Sequence, residues 1–244
     1  MSWAAGLLAI RQKAMARLLI HVEGETEEMF VNEVLAPHLD NVGWEVVSAR
    51  IVGNARLRER RGGIKPWSVV RDDIIRHLKE DQGCYATTMV DFYALPQGAN
   101  TAWPERAAAA QLPTVQKAPH VEAQLDADVQ QTMGPNFQAA HFIPFVIMHE
   151  FEALLFSDCE AFSRGVGRPD LQGAMQAVRD DFATPEEIND SPQTAPSKRV
   201  EALIPSYQKP FLGTLAALEV GLQRIRDECP HFGAWLTRLE QIVS

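Results

Sequence analysis

The chain has 244 residues, of which 46% are apolar and 23% charged, and a formal net charge of −9. That length can bury a substantial core, while no window holds the 18 or so uninterrupted apolar residues a membrane span needs. The acidic balance excludes a nucleic-acid binder that works by overall charge alone.

Residues 1–14 read as a frayed or misassigned start, because Arg11 and Lys13 follow the short apolar run instead of preceding it as in a signal peptide. RLLIHV (17–22) predicts a strand ending at Glu23-Gly24. Thr26 to Leu39 predicts a helix, with Met29, Phe30, Val34 and Leu35 at helical spacing. WEVVSARIV (44–52) predicts a second strand, followed by the Gly- and Arg-rich loop GNARLRERRGG and a helix over Trp67 to Glu80. The third strand, CYATTMVDFY, closes at Asp91 to Tyr93, and residues 95–104 form a loop rich in Pro, Gly and Asn. A helix over Pro119 to Met133 precedes a fourth strand, HFIPFVIM, which runs into His149-Glu150-Phe151-Glu152 and a short helix. Beyond about residue 158 only helices are expected, over 170–182, 185–190, 197–205, 211–228 and 231–243.

Strands alternating with helices predict an α/β fold, a mostly parallel sheet flanked by helices. The corresponding domain division is an α/β part over 15–158 and a helical C-terminal part over 159–244 packed on it. Ligands of such sheets bind outside the carboxyl ends of the strands. Glu23, Asp91 and Glu150 all fall at those ends.

Glu23-Gly24-Glu25-Thr26-Glu27-Glu28 carries the most information. Glycine after the strand allows a tight turn that aims Glu23 into the crevice, and Glu27, four residues on, falls on the same side. Oxygen ligands of this kind suit Mg2+ or Mn2+. Acids in a first helical turn also complement the helix dipole, which accounts for Glu25 and Glu28 but not for Glu23, which precedes the helix. Glu150 and Glu152 supply a second acidic patch after an apolar strand. Lys198 and Arg199 sit at an expected helix start with Ser197 as N-cap, an arrangement that suits a phosphate contact and equally an ordinary capped surface helix. Residues 50–79 concentrate cations, among them Arg56, Arg58, Arg60, Arg61 and Lys65, and such an arm can hold a phosphate backbone locally.

Cys84, Cys159 and Cys229 are odd in number, widely spaced and without a CxxC pair, as expected in a reducing cytosol. The seven histidines, His21 and His77 among them, show no ligand-spaced cluster, and there is no phosphate-binding Gly-x-x-x-x-Gly-Lys-Ser/Thr loop.

The stretches VEGETEE, MVDFYALP, FIPFVIMHEFEALLF, PEEINDSPQTAPSKR and CPHFGAWLTRLE resemble a bacterial family, domain-of-unknown-function family 4276, over nearly everything from Arg17 onward. More distantly, EG-x-TE after the first strand, an Asp closing a later strand and acids after the fourth resemble the TOPRIM fold of the overcoming-lysogenization-defect nucleases. That resemblance implies metal-dependent chemistry on phosphodiesters, with Glu23, Glu27 and Asp91 as metal ligands and Glu23 and Asp91 in catalysis. Tyr93 stands where the family's second Asp is expected, and a phenol with a pKa near 10 replaces a carboxylate poorly. Glu150 or Glu152 then supplies the missing charge, or the site holds one metal, or catalysis is lost.

Two functions are therefore expected from different classes. The first is a Mg2+- or Mn2+-dependent nuclease in which Lys198 neutralises developing charge, the arm and Arg199 hold DNA or RNA, and a separate ATPase subunit couples the reaction to defence against phage or mobile DNA. The second is a non-catalytic interaction subunit with a degenerate site.

Overall fold

The computed structural model describes residues 16–52, 64–189 and 191–244. The expected misassigned start at 1–14 lies outside them, and so do Arg56, Arg58, Arg60 and Arg61.

Strand β1 (Arg17–Val22) leads through Gly24 into helix α1 (Glu25–Phe30), and a π-helical turn at Val31–Leu35 carries the rod on into α2 (Ala36–Val42). The π-turn coincides with Pro37 in the first turn of α2, where the missing N–H forces the hydrogen-bond ladder to re-register. Gly43, at φ +119°, ends the rod in the left-handed conformation that glycine adopts without strain. The chain continues through β2 (Val46–Ile51), α3 (Trp67–Glu80), β3 (Cys84–Asp91), the single turn α4 (Arg106–Ala109) and α5 (Thr114–Met133). Helix α5 starts five residues before the expected Pro119; a proline this near the helix start forfeits one bond, to the Val115 carbonyl, and is tolerated.

The expected fourth strand is instead two short pieces, β4 (Phe142–Ile143) and β5 (Val146–Ile147), both paired with β3. Pro144 has no N–H for the ladder. The Thr88 hydroxyl bridges the gap, donating to the Phe145 carbonyl at 2.8 Å and accepting from the Phe145 N–H at 3.0 Å. Helices follow to the end: α6 (Phe151–Leu155), α7 (Cys159–Gly165), α8 (Gln172–Asp180), α9 (Pro196–Leu203), α10 (Lys209–Val220), α11 (Leu222–Glu228) and α12 (Pro230–Val243). The single helix expected over 211–228 is split at Gly221, where φ is +79°, and α7 adds a helix that the spacing does not predict. Among the described residues no helix is long and apolar enough to cross a membrane, and all three cysteines are free and buried.

The strands pair in the order β2-β1-β3-β4, all parallel, so their carboxyl ends share one edge. Alternation along the strands divides the side chains between two cores. Leu18, Ile20, Val22 and Met89 face α1, α2 and the C-terminal helices, while Ala86, Val90, Phe142 and Val146 face α3 and α5. The C-terminal helices are tied to the sheet by specific bonds as well as by apolar contact. Trp235 on α12 donates to the Thr87 hydroxyl at 3.0 Å, and Trp44 donates to the Leu239 carbonyl at 3.2 Å.

Candidate metal centre

Five carboxylates gather at the carboxyl edge of the sheet, on the side covered by α1 and the C-terminal helices. Three of them are anchored by the start of a helix. Glu27 on α1 accepts the Gly24 N–H at 2.9 Å, Asp91 at the end of β3 accepts the Phe151 N–H that opens α6 at 2.9 Å, and Glu150 accepts the Ser197 N–H in the first turn of α9 at 2.8 Å. Each of these bonds fixes a carboxylate plane through one oxygen. Ser197 thus donates to an acid from another element and is not the expected N-cap, which is Ala195. The HEFEALLF stretch places Glu150 before α6 and Glu152 inside its first turn, fully buried.

Burial raises four of these carboxyls, and mutual repulsion adds to it. Glu27 is pushed up to about 7 by desolvation and then by Glu23. Glu152 rises to about 7 through desolvation, opposed by Lys209 and reinforced by Glu150. Asp91 is held well above the usual carboxylate range by desolvation, Glu27 and Glu23, with Lys209 opposing. Glu23 is raised by desolvation against Lys209 and the backbone N–H groups of Ile64 and Asp91. A helix N-terminus favours an anion by typically 0.3–1 kcal/mol. Moving Glu27 from 4.5 to about 7 corresponds to roughly 3 kcal/mol. Desolvation and repulsion therefore outweigh the caps.

The cation that meets this charge is Lys209, whose ammonium lies 3.1 Å from Glu152 and also feels Asp91 and Glu150. Those acids hold its pKa above the ordinary lysine value in spite of desolvation. A lysine opening a helix works against the dipole, so its placement at the start of α10 is explained by the acids and not by the helix. The sequence gives no sign of this role, because QKPF looks like an ordinary helix start. Lys198 lies at the rim: its ammonium pairs with Glu201 at 2.7 Å, half its side chain is exposed, and Glu150 raises its pKa further. Arg199 turns to the Thr194 carbonyl and the Phe182 ring. The Lys65 carbonyl accepts a bond from Trp103. Tyr93 is 37% exposed, after the chain has turned out of β3.

Three buried polar atoms around the cluster have no hydrogen-bond partner among the described residues: Glu23 Oε2, Glu152 Oε1 and the Tyr207 hydroxyl. Burial, and then the charge of Glu152, raise the pKa of Tyr207, so a donor and an acceptor lie near one another, both unsatisfied. Orphaned buried groups of this kind point to a ligand or water that completes the site. Carboxylate oxygens are the ligand type that hard divalent cations such as Mg2+ or Mn2+ take, but among the described residues no three of these acids bring donor oxygens within 4.8 Å of one another.

Other residues of the shared stretches build the scaffold. Glu186 of PEEIND accepts the His231 and Phe232 N–H groups, both at 2.9 Å, and so caps α12. Asn189 accepts from the Thr194 hydroxyl in the loop before α9. The chain belongs to the family described as Domain of unknown function (DUF4276), whose model matches residues 22–240. No curated protein and no solved structure matches the chain.

Proposed function

We propose that this family member hydrolyses nucleic-acid phosphodiesters with the help of Mg2+ or Mn2+ held by Glu23, Glu27, Asp91, Glu150 and Glu152. The observation that carries the reading is the surplus of carboxylate at one sheet edge, four buried acids and the half-buried Glu23 against one ammonium among the described residues, with two buried oxygens unpartnered. The bound ion supplies Lewis-acid polarisation of the phosphate and a more acidic water. Lys209 stabilises charge that develops on the phosphate oxygens, and Lys198 at the rim binds the incoming backbone. Glu152, whose carboxyl is pushed up to about 7 without metal, gives up its proton on binding the ion. The cations Arg56, Arg58, Arg60 and Arg61, with Lys65 and Arg199, belong to strand positioning in this scheme. Replacing Arg58, Arg60 and Arg61 by Ala lowers the salt-dependence slope of binding by about 0.7–0.9 for each phosphate no longer neutralised. The resemblance of EG-x-TE to the TOPRIM nucleases adds an ATPase subunit as partner and a role in defence against phage or mobile DNA.

A second reading is favoured by two observations, Lys209 seated on Glu152 and Tyr93 turned outward. Lys209 then serves as the cluster's own counter-ion, and the chain is a non-catalytic interaction or regulatory subunit. Incubating the purified full chain with plasmid and single-stranded substrates, with and without Mg2+ or Mn2+, separates the two. Metal-dependent cleavage that disappears in Asp91→Asn supports the nuclease. Metal binding without cleavage of any substrate, with the ATPase partner supplied, supports the second reading.

A further inference from the structure

On the opposite side of the sheet, His21 on β1 and Asp73 and His77 on α3 come together. One ligand atom from each lies within 4.8 Å of the other two. Asp73 and His77 are four residues apart on α3, so both point the same way from the helix. His21 sits beneath them, fully buried.

The hydrogen bonds fix which atoms are free. His21 Nδ1 lies 3.3 Å from the Thr87 carbonyl, which can only accept, so this nitrogen carries the proton and Nε2 is left as a lone pair. His21 Nε2 is buried with no hydrogen-bond partner among the described residues, and it faces Asp73 Oδ2 across 3.8 Å. Two acceptors thus confront each other with no proton between them. His77 Nδ1 is likewise buried and unpartnered, its other ring nitrogen lying 3.3 Å from Arg50.

We propose that His21, Asp73 and His77 form a transition-metal site, separate from the carboxylate cluster, that takes Zn2+ with water as its remaining ligand. Two imidazoles and a carboxylate are a donor set that suits zinc and not magnesium. Ligand bonds of about 2.0–2.2 Å place neighbouring donors roughly 3.3–3.5 Å apart, so closure around an ion needs movements of a few tenths of an ångström up to about 1 Å. The Thr87 carbonyl supplies the outer bond that orients a metal-bound imidazole. Two guanidiniums at the rim oppose the ion. Arg76 pairs with Asp73, and Arg50 engages His77 through a contact that must break before His77 can present its Nδ1 lone pair. Both contacts are exposed and weak. The ion bridges β1 and α3 and does not depend on the nuclease reading.

Titration of the metal-free full chain with Co2+ tests the site through visible ligand-field absorption, with Zn2+ as competitor. Native protein and Asp91→Asn develop the intense absorption of a low-coordinate nitrogen-containing site, and Zn2+ abolishes it. His77→Ala and Asp73→Asn lack it while keeping native circular dichroism. Arg50→Ala, on an exposed strand position, tightens binding about two- to fivefold by removing the competitor, which keeps the test decisive even where a ligand variant fails to fold. No absorption in the native protein overturns the proposal. So does absorption that survives in His77→Ala and Asp73→Asn but vanishes in Asp91→Asn, because the ion then belongs to the carboxylate cluster.

Discussion

Glu27→Gln keeps the size of the side chain and the carbonyl oxygen that accepts the Gly24 N–H, and it deletes one buried charge. A carboxyl raised from 4.5 to about 7 in the folded state contributes stability that is fully present below pH 4.5 and is lost as pH rises through 7. At pH 8 the native chain therefore carries a penalty of about 2–3 kcal/mol that the amide does not. In a chain of this size each kcal/mol moves the melting temperature by about 2–4 °C, so Glu27→Gln melts roughly 5–10 °C higher than native at pH 8 without metal. The advantage shrinks toward zero near pH 4.5. A divalent ion at about 100 times Kd stabilises the native fold by about 2.7 kcal/mol and closes the gap at pH 8, and at about 1,000 times Kd its roughly 4.1 kcal/mol reverses the order, since the variant lacks a ligand. Thermal melts in chelator at pH 4.5 and 8, followed by melts with Mn2+, make the comparison. A variant that melts below the native protein at pH 8 in chelator would refute the reasoning, because Glu27 would then be held by a favourable partner and not by force of packing.

Lys209→Met removes the cation that opposes the rise of Glu152, Asp91 and Glu23; the cost is about 1–2 kcal/mol at pH 8, discounted for the exposure of the lysine, and smaller at pH 5. Equal costs at both pH values would make its role one of packing only. Tyr207→Phe deletes a buried hydroxyl without a partner among the described residues, and chelator melts show it unchanged or up to about 1 kcal/mol more stable. Destabilisation above about 1 kcal/mol means the hydroxyl is bonded. Gly165→Ala places a methyl 2.5 Å from the Ala216 backbone where α7 crosses α10, and denaturant unfolding shows destabilisation of about 1–3 kcal/mol. An unchanged midpoint would mean that the two helices separate without cost.

The strands were legible because their apolar runs are short, β-rich and bounded by turn residues. β1 and α3 begin and end where periodicity places them. Pro144 is visible in HFIPFVIM, but the device that bridges the break is the hydroxyl of Thr88, far away in sequence, and no local pattern encodes that. That Glu23, Asp91 and Glu150 share one edge was legible from strand-end position, since a parallel sheet gathers its carboxyl ends there; Glu27 and Glu152 lie on helices and join them through helix spacing and sequence proximity. Lys209 was not, because its partner Glu152 belongs to another element and its helix start is an unremarkable one. The His21 grouping was missed, because the histidines alone show no ligand spacing: the four-residue interval of Asp73 and His77 is the one local signal, and His21 joins them only through the packing of α3 on β1.

Whether the carboxylate cluster binds a divalent ion decides most of what has been proposed for this protein. Calorimetric titration of Mn2+ into the chelator-treated chain, carried out at pH 7.5 in the His77→Ala background so that only the carboxylates report, answers this. Saturable binding is expected in that parent, and Asp91→Asn and Glu152→Gln should each abolish it. Equal binding in the parent and both variants, or no binding in the parent, would contradict the metal centre and leave Lys209 as the cluster's counter-ion among the described residues.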